Sequence, residues 1–193
     1  MLLYGPLLQD YSFEHSGKED TDLGQWVVWV FSGSEGITTQ FIFNDNPFYN
    51  KKKESRTLHQ QHSQYLIRME KDRTCPRKQF KEDQVKQLEA WREDGDQLIV
   101  CLDANKNIYK KSIGKTHTNQ EGMGMKKEEV DSFTSKQVGA TFFRGSKPIN
   151  GIWATANLEV SGVSIMPASY GVGDHQILIV DFLTSSFVGA KPL

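Results

Sequence analysis

The run Gln97–Leu102 (QLIVCL), which ends at Asp103, constrains this chain more than any other segment. It is short, continuously apolar after its first residue and rich in Ile and Val. A strand with one wet face alternates polar and apolar residues, and this one does not, so it reads as a strand buried on both faces. Such a strand belongs in the interior of a layered domain.

The flanking segments supply candidate layers. Gln25–Phe31 (QWVVWVF) and Gly36–Asn44 (GITTQFIFN) are rich in β-branched and aromatic residues, and Ser32–Glu35 (SGSE) supplies a turn between them, so the pair reads as a hairpin. Asn44–Asn50 (NDNPFYN) breaks the pattern. From Glu54 to about Arg73 the spacing predicts an amphipathic helix with Leu58, Tyr65, Leu66 and Met69 on its buried side, stopped by Cys75-Pro76. A second helix is expected from about Lys78 to Asp94, with Phe80, Val85, Leu88 and Trp91 as its apolar face and Gly95 at its end. Lys106–Lys127 is polar and without period, a long loop, and Glu128–Phe133 could form one or two helical turns. Further strands are expected around Ala140–Phe143, Gly151–Ala156 and Gln176–Phe182, with Leu158–Met166 as another. Helices in the middle and antiparallel strands at both ends make the class α+β, and residues 1–193 read as one domain.

Composition narrows the functional classes. A net charge of −1 gives no global basic signature for nucleic acid, so any such contact must come from a local patch. Hydrophobic content of 37% and charged content of 24% describe a globular chain. No apolar run approaches the roughly 18 residues that span a membrane, and MLLYGPLLQD lacks the basic start of a signal peptide; the expectation is a soluble intracellular protein. Cys75 and Cys101 make no disulfide framework, and Cys101 reads as a reduced core residue.

Chemistry-bearing residues gather where strands are expected to end. Asp103-Ala104-Asn105 follows QLIVCL directly. Thr141-Phe142-Phe143-Arg144-Gly145 leads into Pro148-Ile149-Asn150-Gly151-Ile152-Trp153. Gly173-Asp174-His175 directly precedes QILIVDF. A carboxylate, an amide and a carboxylate–imidazole pair at strand ends suit metal-assisted phosphoryl transfer, in which a divalent ion takes hard oxygen ligands and charge is stabilised on phosphate oxygens.

In order and spacing, IVCLDAN, ATFFRGSKPINGIWAT and YGVGDHQILIVDF resemble the latter part of the endonuclease/exonuclease/phosphatase superfamily, the deoxyribonuclease-like fold. GQWVVWVF, NDNPFYN and HQQHSQYL resemble the middle of the same domain, closest to divergent members found beside reverse-transcriptase-like and transposon-like genes. The resemblance implies part of a four-layer α/β/β/α sandwich. It implies a phosphodiesterase hydrolysing nucleic-acid backbone with Mg²⁺ or Mn²⁺. In these roles Asp103 orients or deprotonates the attacking water and Asn105 bonds the scissile phosphate. Asp174 binds or approaches the metal, His175 stabilises the pentavalent phosphate, and Thr141 and Arg144 position the phosphate backbone.

The family pattern is departed from in three places. Asn150 stands where the family has an aspartate that bonds the catalytic histidine; asparagine still orients the ring but carries no charge. MLLYGPLLQDYSF aligns with the middle of the domain, so the opening strands and the metal-binding glutamate are expected to be missing, with Glu14, Glu19 and Glu35 read as solvated surface carboxylates. Asp45 falls where many members place an aromatic or a histidine near the phosphate. These departures predict weak Mg²⁺ binding, and either a domain less stable than a complete one or a sheet edge covered by self-association or by a partner chain. They also keep open the reading of a non-catalytic remnant that binds nucleic acid or protein.

The remaining candidates carry weaker signals. His15, His59, His62 and His117 have no metal-ligand spacing. Lys51-Lys52-Lys53 reads as a solvated loop rather than a nucleic-acid contact. Trp26, Trp29, Trp91 and Trp153 lie in periodic apolar contexts and read as core.

Overall fold

The computed structural model describes residues 13–14, 26–33, 36–45, 58–69, 75–105, 125–128, 140–167, 170 and 173–188. Strand β1 (Phe13–Glu14) is followed by β2 (Trp26–Ser32) and β3 (Thr38–Asp45). Helices α1 (Leu58–Arg68) and α2 (Pro76–Glu93) lead to β4 (Gln97–Asp103). Then come β5 (Met125–Glu128), β6 (Asn150–Thr155), β7 (Val160–Ile165), β8 (Leu178–Phe182) and a short helix, α3 (Thr184–Val188). The class is α+β, as expected.

Two sheets form: a six-stranded one in the order β1-β2-β3-β4-β6-β5, and the antiparallel pair β7-β8. The expected hairpin is β2-β3, with Trp26 opposite Asn44 at one end and Ser32 opposite Thr38 at the other. Gly36, at φ 76°, takes the left-handed conformation this turn needs. Strands β3 and β4 run parallel. A parallel pair needs a crossover, and α1 with α2 provides it.

Strand β4 is buried along most of its length, with Leu98, Ile99, Val100 and Leu102 all in the core. One face packs with Ile42, Leu88 and Trp153, against which Trp91 of α2 lies. The other face packs Phe31, Phe41, Ile99, Ile152 and Ala154 with Leu178, Val180 and Phe182 of the second sheet. Each fully buried Leu, Val or Phe contributes about 1.5–3 kcal/mol. Burial on both faces is thus why this strand could be apolar throughout. Three layers are described: helices, large sheet and small sheet. The fourth layer of the expected sandwich is not found among the described residues. None of the described helices is long and apolar enough to cross a membrane.

Local chemistry differs from the sequence reading in several places. Pro76 does not merely stop a helix: it opens α2 at the first turn, after an extended Cys75. Its missing N–H is no loss there. Gly95, at φ 91°, closes α2 while the Asp96 N–H reaches the Trp91 carbonyl at 2.9 Å, so β4 starts immediately. Met69, expected on the buried side of α1, is exposed, and His62 is buried there instead. Met125–Lys127, read as loop, and Glu128, read as helical, form β5, because pairing with β6 overrides local preference. Lys106–Gly124 and residues 129–133 lie outside the described residues.

Glu14 sits on β1 opposite Val30. Through Val30 and Gln40 its register reaches Leu98, roughly 16 Å along β4 from Asp103 at the usual rise per residue. Glu14 is therefore strand-borne, at a different level of the sheet from Asp103.

Candidate active site

The large sheet sets side by side three residues far apart in sequence. In the parallel β3–β4 register Asp45 is the partner of Asp103, and in the antiparallel β4–β6 register Asp103 is the partner of Asn150. One buried and one part-buried bond at the other end help fix this register. Thr39 Oγ1 donates to Gln97 Oε1 at 3.0 Å, and Gln40 Nε2 donates to Asp96 Oδ2 at 2.7 Å.

Past Asp103 the chain turns back on itself. The Asn105 N–H donates to Asp103 Oδ1 at 2.9 Å, an Asx turn that puts Asn105 at φ 48°, a region asparagine tolerates better than most residues. The Ala104 N–H donates to the Ile149 carbonyl at 2.8 Å, and Arg77 Nη2 donates to the Ala104 carbonyl at 2.6 Å. The Asp-Ala-Asn turn is therefore clamped between Ile149, just before β6, and the first turn of α2.

His175 arrives from a different part of the chain. It forms an isolated bridge with Phe142. The Gln176 N–H donates to the Thr141 carbonyl at 2.8 Å and the Phe143 N–H to the Asp174 carbonyl at 2.7 Å. Thr141-Phe142-Phe143, expected as a strand, is thus one bridge followed by a turn that Gly145 closes. The Phe142 ring lies against the His175 ring, with centroids 5.2 Å apart.

Hydrogen-bond inventory sets the histidine tautomer. Thr141 Oγ1 accepts from the N–H groups of Ile149 at 2.9 Å and Asn150 at 3.2 Å, so its own O–H is left to donate to Asn150 Oδ1 at 2.8 Å. That makes the Asn150 atom facing His175 Nδ1, 3.0 Å away, an oxygen. Nδ1 then carries the proton. Nε2 points to Asp103 Oδ2 and Asp174 Oδ1, each 3.7 Å away.

Electrostatics follow from partial burial. Burial pushes the Asp103 carboxyl above its ordinary value and the Asp174 charge adds to this, against the Asn105 N–H, His175 and Arg77, which pull it down. Asp45 is exposed as a residue, yet its carboxyl is part-screened from water beside the neighbouring strand end. That desolvation and the Asp103 charge raise it, while Asn105 and His175 oppose the rise. Burial draws the Arg77 guanidinium down, against the favourable charges of Cys75 and Asp103.

The structure thus gathers Asp103, Asn105, Asn150, Asp174 and His175 at one end of the large sheet. Thr141 is there too, but fully buried, with its hydroxyl committed to β6. Its hydroxyl braces Asn150, donating to Oδ1 at 2.8 Å. Arg144 lies on the exposed turn after Phe143 and stays open to solvent. Two neighbours had no assigned role in the sequence reading. Asp45 stood out only as a departure, and Arg77 gave no signal beyond being one cation on a helix.

The oxygen donors near His175 fit a magnesium ion only in its usual loose mode, with one or two carboxylates and the rest water and substrate phosphate. Among the described residues no group of three or more His, Cys, Asp or Glu forms a metal cage.

Comparison with known proteins agrees on the fold. No family model matches the sequence, and no curated protein matches it significantly. Solved structures do. The endonuclease domain of TRAS1, a telomere-specific non-LTR retrotransposon, aligns with TM-score 0.54 and 12% identity over 90% of this chain and 69% of its own. The 3′ phosphatase NExo from Neisseria, bound to product DNA hairpin, gives 0.55 and 12% over 90% and 70%. The human Nocturnin catalytic domain with bound sulfate gives 0.51 and 13% over 90% and 59%. The chain has the fold of the endonuclease/exonuclease/phosphatase superfamily. It spans 59% of the Nocturnin domain and about 70% of the other two.

Proposed function

We propose that this chain is a divergent metal-dependent phosphodiesterase domain acting on nucleic-acid backbone. The observation that carries the reading is the convergence of Asp103, Asn105, Asp174 and His175 at one sheet end, with Asn150 holding His175.

In this reading a water attacks phosphorus, an O–P bond forms and the ester P–O bond breaks. Asp103 takes the proton of the attacking water; the burial that raises its carboxyl brings it nearer to a working base. Asn105 donates an amide N–H to a non-bridging phosphate oxygen. His175, held through Nδ1, offers Nε2–H as imidazolium to the charge that builds on the phosphate. Asp174 would help hold Mg²⁺ or Mn²⁺, which when bound supplies further screening of that charge. Arg144 is well placed, by its exposure beside Phe143, to meet the backbone of a nucleic-acid substrate. Support comes also from the neighbours, two of which are an endonuclease domain and a 3′ phosphatase.

The test is cleavage of DNA and RNA oligonucleotides by purified protein with Mg²⁺, against His175→Ala. Cleavage lost in the variant supports the enzyme. Equal background in both favours a binding remnant, which a binding titration with the same oligonucleotides then separates from a protein-binding module.

A further inference from the structure

The first turn of α2 breaks a rule of helix electrostatics. The N-terminus of a helix carries partial positive charge and favours carboxylates, yet this turn holds no acidic residue and begins Pro76-Arg77-Lys78. Lys78 is exposed and is answered one turn on by Glu82, at 3.4 Å. Arg77 is instead half-buried, and burial works against its charge. A cation set at the wrong helix end and drawn out of water needs compensating contacts. The 2.6 Å bond from Nη2 to the Ala104 carbonyl is one, and the nearby charge of Asp103 is another.

The turn that receives this bond needs holding. Ala104 is buried, and its two backbone groups are taken by separate segments, the N–H by Ile149 and the carbonyl by Arg77. Asn105 sits at φ 48°, a conformation that a residue other than glycine keeps only where its surroundings enforce it. The Asx bond to Asp103 Oδ1 lies within the turn and moves with it. Arg77, by contrast, ties the turn to a helix 27 residues earlier in the chain.

We propose that Arg77 is a positioning residue: through the Ala104 carbonyl it holds the Asp103-Ala104-Asn105 turn in the conformation that presents Asp103 and Asn105 to the substrate phosphate. The proposal rests on the phosphodiesterase reading. It gives the misplaced cation of α2 a purpose, since a misaligned turn would displace two reacting groups at once.

Two readouts on the full chain test it. The first needs no catalysis and follows the turn by NMR. In Arg77→Met the Ala104 carbonyl ¹³C resonance should move upfield as its bond is lost. The Asn105 amide, slow to exchange in the wild type, should exchange at least about tenfold faster. The amides of Ile99, Val100 and Leu102 should keep their protection, which confines the change to the turn. The second is kinetic, with a DNA oligonucleotide and Mg²⁺. Arg77→Met should lower kcat about tenfold with little change in KM, because misplaced groups cost rate rather than binding. Arg77→Lys, which keeps a donor and the charge, should hold kcat within about threefold of wild type. Unchanged Ala104 and Asn105 resonances in Arg77→Met, an active wild type whose kcat does not fall in that variant, or loss of protection throughout β4 in both variants would each overturn the proposal. If the NMR changes are seen but the wild type cleaves nothing, the phosphodiesterase reading fails, and Arg77 is left as a restraint on the turn only.

Discussion

His175 Nδ1 lies 3.0 Å from Asn150 Oδ1, and that oxygen also accepts the Thr141 hydroxyl. The pair reproduces the geometry of a histidine held by an acceptor, but without the charge. A carboxylate at this position would favour the imidazolium through its nearby opposite charge. At a serine-protease triad, loss of such a carboxylate costs about 10⁴ in rate. The roles differ here, so Asn150→Asp is expected to raise Mg²⁺-dependent cleavage by only about ten- to a hundredfold and to extend its active range to higher pH. A pH–rate profile checks this; a variant no faster than wild type at any pH would show that charge at position 150 is not limiting.

Asp103 should be costly to the fold. Its carboxyl is held above its ordinary value chiefly by burial, so the folded chain binds this proton more tightly than the unfolded chain. Ionised Asp103 therefore destabilises at neutral pH. The cost is relieved as pH falls through its raised folded value towards its unfolded one. Asp103→Asn, which can still accept the Asn105 N–H, should raise stability at pH 7 by on the order of 1 kcal/mol while abolishing cleavage. Urea melts at several pH values decide it; a less stable variant at neutral pH would count against the desolvation argument.

Magnesium should bind weakly without substrate. The described residues offer no three-ligand cage, and Asp174 with Asp103 leaves most of the coordination shell to water. The expected dissociation constant is on the order of millimolar. Titration calorimetry showing micromolar binding would mean that another ligand contributes.

Much of this site was legible because its residues sit at strand ends that hydrophobic pattern alone reveals. QLIVCL stops at Asp103 and QILIVDF follows His175, so both could be placed before any contact was known. What pattern cannot give is register between strands distant in sequence. Asp45 pairs with Asp103 because of buried bonds such as Thr39 to Gln97, and nothing local to NDNPFYN announces it. Thr141 to Phe143 misled for a different reason. Their aromatic, β-branched content matches strand preference, but only Phe142 finds a strand-like partner, in His175. Arg77 escaped notice because its work is done at the Ala104 carbonyl, across a turn that joins no neighbouring segment in sequence.

The two cysteines should differ sharply in reactivity. Cys75 is exposed at the start of α2. Cys101 is only half-buried as a residue, but it packs against the apolar layer between the sheets, and desolvation pushes its thiol up to about 12. A thiol at that value is almost wholly protonated at pH 8 and is a poor nucleophile. Ellman's reagent should label one thiol in the native chain and two in denaturant. Rapid labelling of both under native conditions would show that the β4 layer opens readily.

Gly151 should be the least replaceable small residue near the site. It follows Asn150 on β6, and a Cβ there would lie 2.6 Å from the Trp153 ring, which is fully buried. Two residues apart on a strand share a face, so the indole folds back over Gly151 towards the strand end that carries Asn150. Gly151→Ala must push either the indole into the packed layer of Ile42, Leu88 and Val100, or the strand away from β4. Overpacking of this kind typically costs about 1–3 kcal/mol. A shift of β6 would also lengthen the bond from Asn150 to His175, so activity should fall more than the loss of folded protein accounts for. Tryptophan fluorescence during urea unfolding, read with kcat on the folded fraction, separates the two. A variant as stable as wild type, with unchanged fluorescence, would mean that Trp153 has room to move and that Gly151 is not what brings the indole close to the strand.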